Sequence, residues 1–291
     1  MLASLLTTLS FACSGWCGGR VIKLSNSMTA TLCRSLLALC LLGAYVFTLG
    51  QGFAGAGLIM FIVSGAVGFG FGDLALFECY SRLGPRRTVL LAQCLAAPIA
   101  CLTEWLWLGT HLNGWQILLI SIILAGVSIS LAPAEHLKIP RAQFINGALF
   151  GSLAAAGQGW GAVLSRRAFE LNHAANTHIN APTATFQRML GGALLVSIIV
   201  SVWLSRHPFT RPGKKFSPWI LAHTLAGPVI GVSCFQWALS TTPSGIVLAI
   251  VATTPIVIMP LTHWLDGDTL TMRNLIGAVI AVSGVIGLLM G

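Results

Sequence analysis

The sequence predicts an all-α, polytopic membrane protein of ten transmembrane helices, built as two inverted five-helix repeats. Three observations carry that expectation. Of the 291 residues, 56% are hydrophobic and only 8% charged, against roughly 25% charged in an ordinary soluble domain, so a water-facing surface cannot be assembled from them. Apolar runs near the length that carries a helix across ~30 Å of hydrocarbon recur from end to end. Short phrases also recur in one order in both halves: "TATLCR" at 29–34 returns as "TATFQR" at 183–188.

In chain order, the first run, 2–19, has no Lys or Arg before its apolar core. It therefore reads as a span rather than as a cleaved signal peptide. The second, 29–49, opens on threonines suited to a helix start. The third and fourth, 57–80 and 88–108, are separated by "RLGPRR" at 82–87. The fifth is 114–132. "APAEHLKIPRAQ" at 132–143 then divides the chain into repeats at 1–135 and 140–291. Spans follow at 144–164, 183–204, 218–239, 245–265 and 272–290.

Several landmarks repeat across that division. Gly15 and Trp16 of the first span return as Gly159 and Trp160 of the sixth. "FECYSRLGP" from Phe77 aligns with "FQWALSTTP" from Phe235, and the Gly126-Val127 pair aligns at the same offset with Gly284-Val285. Five spans is an odd number, so the second half enters the bilayer from the opposite side. Such inverted halves give secondary transporters an in-plane pseudo-twofold axis and a central site that opens alternately to either side.

The tryptophans, the arginine early in each second span, the small-residue-rich third spans and the late Gly-Val pairs together resemble the drug/metabolite transporter superfamily, in its EamA-like group of ten-span permeases. The resemblance covers nearly the whole chain. Where that group carries Leu-Gly-Glu after the fourth span, this sequence has "LGTH" at 108–111 and "LDGD" at 265–268, so only the second keeps an acid. The resemblance implies a gradient-driven, not ATP-driven, exporter or exchanger of a small metabolite, amino acid or drug-like solute. It implies a multi-pass protein of the cell (inner) membrane, coupling to a proton or counter-solute, and no cofactor, and it leaves a homodimer open.

Intramembrane ionisable residues are costly and are functional candidates by default. Arg34, Arg188, Asp73, Glu78 and Glu104 are the coupling or charge candidates, with His263 beside them. Each has a plainer reading. The arginines can snorkel to headgroups. Glu78 can pair with Arg82 one turn on. Glu104, among Trp105 and Trp107, suits the interfacial aromatic belt, as does His263 beside Trp264. Trp16, Gln158, Trp160, Gln236 and Trp237 are candidate solute contacts, offering flat apolar walls and amides. Pro98 and Pro255, nearly equivalent in the two halves, are candidate gating kinks. Paired glycines at Gly15/Gly19, Gly68/Gly72, Gly147/Gly151, Gly157/Gly161 and Gly227/Gly231 fit close helix contacts.

"GFGD" at 70–73 also matches the signature of intramembrane aspartyl proteases, the strongest enzyme alternative. That chemistry needs a second aspartate in an adjacent span to share a proton, and 29–49 contains none. HExxH, GxSxG and Walker sequences are missing too, which disfavours an enzyme. The eight cysteines all fall in apolar runs as small hydrophobes, implying neither disulfides nor a metal site. The net charge of +9 is scattered between apolar runs rather than gathered on one face, which speaks for lipid rather than nucleic acid. Apart from Arg34 and Arg188, twelve of the Lys and Arg residues fall on odd-numbered loops. Two, Arg166 and Arg167, fall on an even-numbered one. The positive-inside rule then puts the termini outside, whereas better-known members of the group are drawn with termini inside.

Overall fold

The computed structural model describes residues 1–25, 27–131, 140–205, 216–266 and 271–290. The elements among them are all helical, with no strand, and short irregular segments such as 49–57, 109–113 and 175–180 connect them. The elements are α1 (Leu2–Leu24), α2 (Ser27–Thr48), α3 (Leu58–Gly65), α4 (Asp73–Leu108), α5 (Gly114–Leu131), α6 (Arg141–Ala174), α7 (Ala181–Leu204), α8 (Phe216–Thr224), α9 (Val232–Thr241), α10 (Ser244–Val251), α11 (Thr254–Asp266) and α12 (Met272–Met290). A π-helical segment, Ala66–Gly72, joins α3 to α4, and a second, Leu225–Gly231, joins α8 to α9. Among the described residues, five segments are long and apolar enough to cross a membrane, and four shorter apolar helices accompany them.

The loop expected at 82–87 is helical instead, and α4 turns back within it. The Thr88 hydroxyl lies 3.2 Å from the Cys79 thiol, whereas nine residues of straight helix span about 13 Å. Helix α6 shows the reversal directly. Going down α6, Gly161, Gly157, Gly151 and Gly147 face Gly68, Gly72, Cys79 and Leu83 in turn. Going back up, Gly151 faces Leu91, Gly159 faces Ala96 and Ala100, and Arg166 meets Glu104. The two arms of α4 are therefore antiparallel. They meet between Leu83 and Thr88, a stretch that holds Pro85, whose missing N–H is tolerated at the first turn of a new helix.

The contacts repeat across the halves. Helix α1 packs on α8, the second π segment, α9 and α11, as α6 packs on α3, the first π segment and α4, while α2 pairs with α7 and α5 with α12. Each half thus inserts its first helix into the other half. Local starts repeat as well. At the head of α5, the Gln116 amide N–H donates to Asn113 Oδ1 at 2.7 Å, and Asn113 N–H to Gln116 Oε1 at 3.1 Å. At the head of α12, Thr271 N–H donates to Asn274 Oδ1 at 2.9 Å.

Lipid offers no hydrophobic drive for helices to associate, so close backbone packing must supply the contact. At the α3–α7 crossing a Cβ on Gly65 would sit 1.7 Å from the Arg188 carbonyl oxygen, and one on Gly191 would sit 1.9 Å from that of Ile62. The repeated Gly126 and Gly284 lie at the α5–α12 crossing, against Ala281 and Gly277 and against Ile123 and Leu119. Two of the paired-glycine motifs meet each other, Gly68/Gly72 against Gly157/Gly161, and Gly227/Gly231 lies against Ser14 and Phe11.

Two further expectations change. Helix α6 runs ten residues beyond the expected end at 164, so Arg166 and Arg167 belong to a helix rather than to a loop. The span expected at 245–265 is broken after Val251, where Ala252 and Thr253 form a turn ahead of Pro255. At Pro98 the helix continues without a break.

Candidate functional site

Arg34 and Arg188 each lie two turns inside α2 and α7, and the structure gives them different fates. Arg34 Nη2 donates to Asp73 Oδ2 at 3.0 Å, both side chains being about a quarter exposed. Asp73 follows the glycine-rich π segment directly. Arg188 is only 3% exposed and does not snorkel. Its guanidinium carbon lies 4.8 Å from the Phe69 ring and 5.6 Å from the Phe235 ring. Its Nε has no hydrogen-bond partner, and among the described residues no carboxylate lies within ion-pair distance of it. Desolvated cation–π contact is worth ~2 kcal/mol, against several kcal/mol for taking one ion out of water. The rings therefore offset only part of the cost.

Around Gly161 the same centre gathers neutral polar groups from both halves. Ser64 Oγ donates to the Gly161 carbonyl at 2.5 Å and lies 2.8 Å from Ser165 Oγ. Gln236 Nε2 donates to Ser165 Oγ at 3.2 Å, which leaves Gln236 Oε1 buried and unpaired. Ser64, Ser165 and Gln236 are all fully buried. Arg188 Nη2 stands 2.7 Å and 3.0 Å from where Cβ atoms on Gly68 and Gly161 would be. The absence of side chains there is what lets the guanidinium pack against the two helix backbones.

A second polar cluster ties the halves together at the end of α4. Glu104 is 2% exposed. The Ser244 amide N–H, at the first residue of α10, donates to Glu104 Oε2 at 2.7 Å, and the Ser244 hydroxyl donates to the same oxygen. Arg166 Nε lies 2.7 Å from Glu104 Oε1, and Arg166 Nη1 donates to the Leu239 carbonyl at 3.2 Å. A carboxylate at a helix N-terminus also meets the positive end of the helix dipole. Glu104 is thus held against protein by its partners, while Trp105 and Trp107 face outward. On the same face the segment 49–57 is pinned to α6 and α7. Gln187 Nε2 donates to the carbonyls of Gly52 and Ala54 at 3.0 and 2.9 Å, Thr183 Oγ1 donates to Gln51 Oε1 at 2.9 Å, and Gly57 N–H donates to Asn172 Oδ1 at 3.0 Å.

A centre built from both halves, beneath a face closed by bonds between the halves, is the arrangement expected of a transporter, and sequence comparison agrees. The model of the EamA-like transporter family matches residues 1–132 and 145–290. The chain belongs to the EamA-like transporter family. It is accordingly a multi-pass integral membrane transporter of the drug/metabolite transporter superfamily, working in lipid on a small-molecule solute. A solved crystal structure of a protein matches this EamA-like chain with a TM-score of 0.80 at 15% identity, over 99% of this chain and 96% of the other, a likeness of fold alone. Comparison with curated proteins gives no match.

The remaining candidates of this EamA-like transporter are spread widely. Trp16 is half-buried on α1, edge-on to Trp219 at 5.4 Å, with the Arg20 guanidinium 5.4 Å from its ring. Trp160 is 44% exposed and shares a helix face with exposed Leu149, three turns away. Trp237 is 48% exposed and shares a face with exposed Ile230. Both rings therefore point away from the centre. Gln158 is half-buried. Glu78 is half exposed and pairs with Arg82 one turn on, as the plainer reading had it. His263 and Trp264 are exposed near the end of α11.

Sequence reasoning missed Ser64, Phe69, Ser165, Arg166, Gln187 and Ser244. For Arg166 a signal existed: no Gly or Pro interrupts the chain from Ala162 to Ala174, so nothing stops the helix before the Arg-Arg pair. Single serines in apolar runs carry no such mark.

Proposed function

We propose that this protein is a ten-span secondary active transporter whose two inverted halves, 1–135 and 140–291, alternate access to the Arg188 centre. It exports or exchanges a small metabolite, amino acid or drug-like solute across the cell membrane, driven by a proton or counter-solute gradient rather than by ATP. The observation that carries the reading is the buried polar centre to which both halves contribute: Ser64 and Phe69 from one, Ser165, Arg188, Phe235 and Gln236 from the other. It sits between two π-helical segments at corresponding places, and such segments concentrate at functional sites. The reversal inside α4 supports the count of ten, with α3 to early α4, late α4, α8–α9 and α10–α11 each read as one crossing. A homodimer is compatible with this arrangement.

Asp73 is held by a guanidinium, not by a second carboxylate, which favours transport over the aspartyl protease alternative. The test is accumulation of labelled amino acids, nucleosides, organic acids and cationic drugs in cells with and without the protein, with the proton gradient dissipated as a control. The expected outcome is a gradient-dependent difference for one class. No difference across the panel refutes the reading.

A further inference from the structure

Buried Arg188 and quarter-exposed Arg34 have one described carboxylate near them, Asp73, which Arg34 already engages at 3.0 Å. One positive charge is left over, and it is on Arg188. A buried charge without a counter-charge is a strongly unfavourable arrangement. A protein keeps one where the missing partner arrives from outside. The surroundings of Arg188 fit that account. The Phe69 and Phe235 rings flank its guanidinium carbon, its Nη2 packs against the bare backbones at Gly68 and Gly161, and its Nε is buried without a partner.

Resting on the transport reading, we propose that Arg188 binds the carboxylate of the solute, and that the solute is a small organic monoanion with an apolar or aromatic body. The guanidinium fork matches a carboxylate with two parallel hydrogen bonds. The solute's body lies against Phe69 and Phe235, where aromatic faces favour flat apolar groups. Gln236, whose Oε1 is also buried and unpaired, can accept a hydrogen bond only from a solute that carries a hydroxyl on its body. Asp73 is the internal competitor: if Arg34 releases it, it is the charge available to Arg188. A dianion would over-neutralise the centre, and a cation would add to its surplus.

The experiment uses the purified full chain in detergent and in proteoliposomes. The probes are a series of monocarboxylates with aliphatic and aromatic bodies, among them 3-phenylpropionate, together with 3-phenylpropionamide and phenethylamine. At millimolar concentration at least one carboxylate is expected to raise the unfolding midpoint by a few degrees, while the amide and the amine do not. Arg188→Gln should weaken that carboxylate at least tenfold and Arg188→Lys less. Asp73→Asn, which removes the competitor, should tighten it. Removing an unpaired buried charge breaks no ion pair, so Arg188→Gln is expected to fold. Equal stabilisation by the amide, an undiminished response in Arg188→Gln, or no response to any carboxylate overturns the proposal. Proteoliposome flux separates this from the broader reading. Movement of neutral or cationic solutes, equal in wild type and Arg188→Gln, refutes the anion site and leaves transport standing; no movement of any solute refutes transport itself.

Discussion

At the scale of single residues, the two glutamates counted among the coupling or charge candidates separate by what surrounds them. Glu78 pairs with Arg82 and has half its side chain exposed, and an exposed ion pair contributes about 0–1 kcal/mol. Glu78→Gln is therefore expected to leave both unfolding midpoint and transport rate within about twofold of wild type, an outcome that a proton-carrying role for Glu78 would not allow. Glu104 is the opposite case. Glu104→Gln leaves Arg166 buried without its counter-charge, which costs about 3–5 kcal/mol and should show as a large fall in the unfolding midpoint in detergent. Adding Arg166→Met to that variant should recover much of the loss, because the uncompensated charge goes with it. The sequence could place both glutamates in apolar surroundings but could not tell them apart. The difference lies in Arg166 and Ser244, which are far away in the chain and meet Glu104 only in the fold.

At the scale of elements, what holds helices together is glycine placed where two backbones cross. Gly65 and Gly191 lie at the α3–α7 crossing, where a Cβ would meet a carbonyl oxygen, and nothing flexible can move aside. Gly65→Ala or Gly191→Ala is expected to cost about 1–3 kcal/mol by overpacking. Gly114→Ala, where an added Cβ meets open space, should leave the unfolding midpoint unchanged; equal effects at all three sites would contradict this account. The crossings at Gly126 and Gly284 were legible beforehand, because both carry the Gly-Val pair at one offset. The π-helical segments were not. Pro228 explains one of them, since it lacks the N–H that a regular ladder needs. The glycine-rich Ala66–Gly72 has no proline, and only the helix-on-helix contacts of Gly68 and Gly72 mark it as special.

At the scale of the whole molecule, the distribution of charge decides how the protein sits in the membrane. Twelve Lys and Arg residues belong to the odd-numbered connections or the helix ends beside them. The two assigned to the even side, Arg166 and Arg167, are in α6 and are matched there by Glu104 and Glu170 at 2.7 and 3.2 Å. The count of twelve against two is what orients the chain: because anionic lipid and the insertion machinery retain Lys and Arg in the cytoplasm, the odd connections are expected there and both termini outside. On the proposed alternating-access reading, the buried latch of Glu104, Arg166 and Ser244, with the 49–57 segment pinned by Gln187, then acts as an external gate. Fusions at the C-terminus test the orientation. Alkaline phosphatase should be active and green fluorescent protein dark; the reverse pattern would place the termini inside and make the same latch an internal gate. A second measurement follows from the latch itself. Glu104→Gln should raise the labelling of a cysteine placed at Thr242, beside Ser244, by a membrane-impermeant thiol reagent added from outside. That increase would tie the ion pair to opening of that face rather than to stability alone.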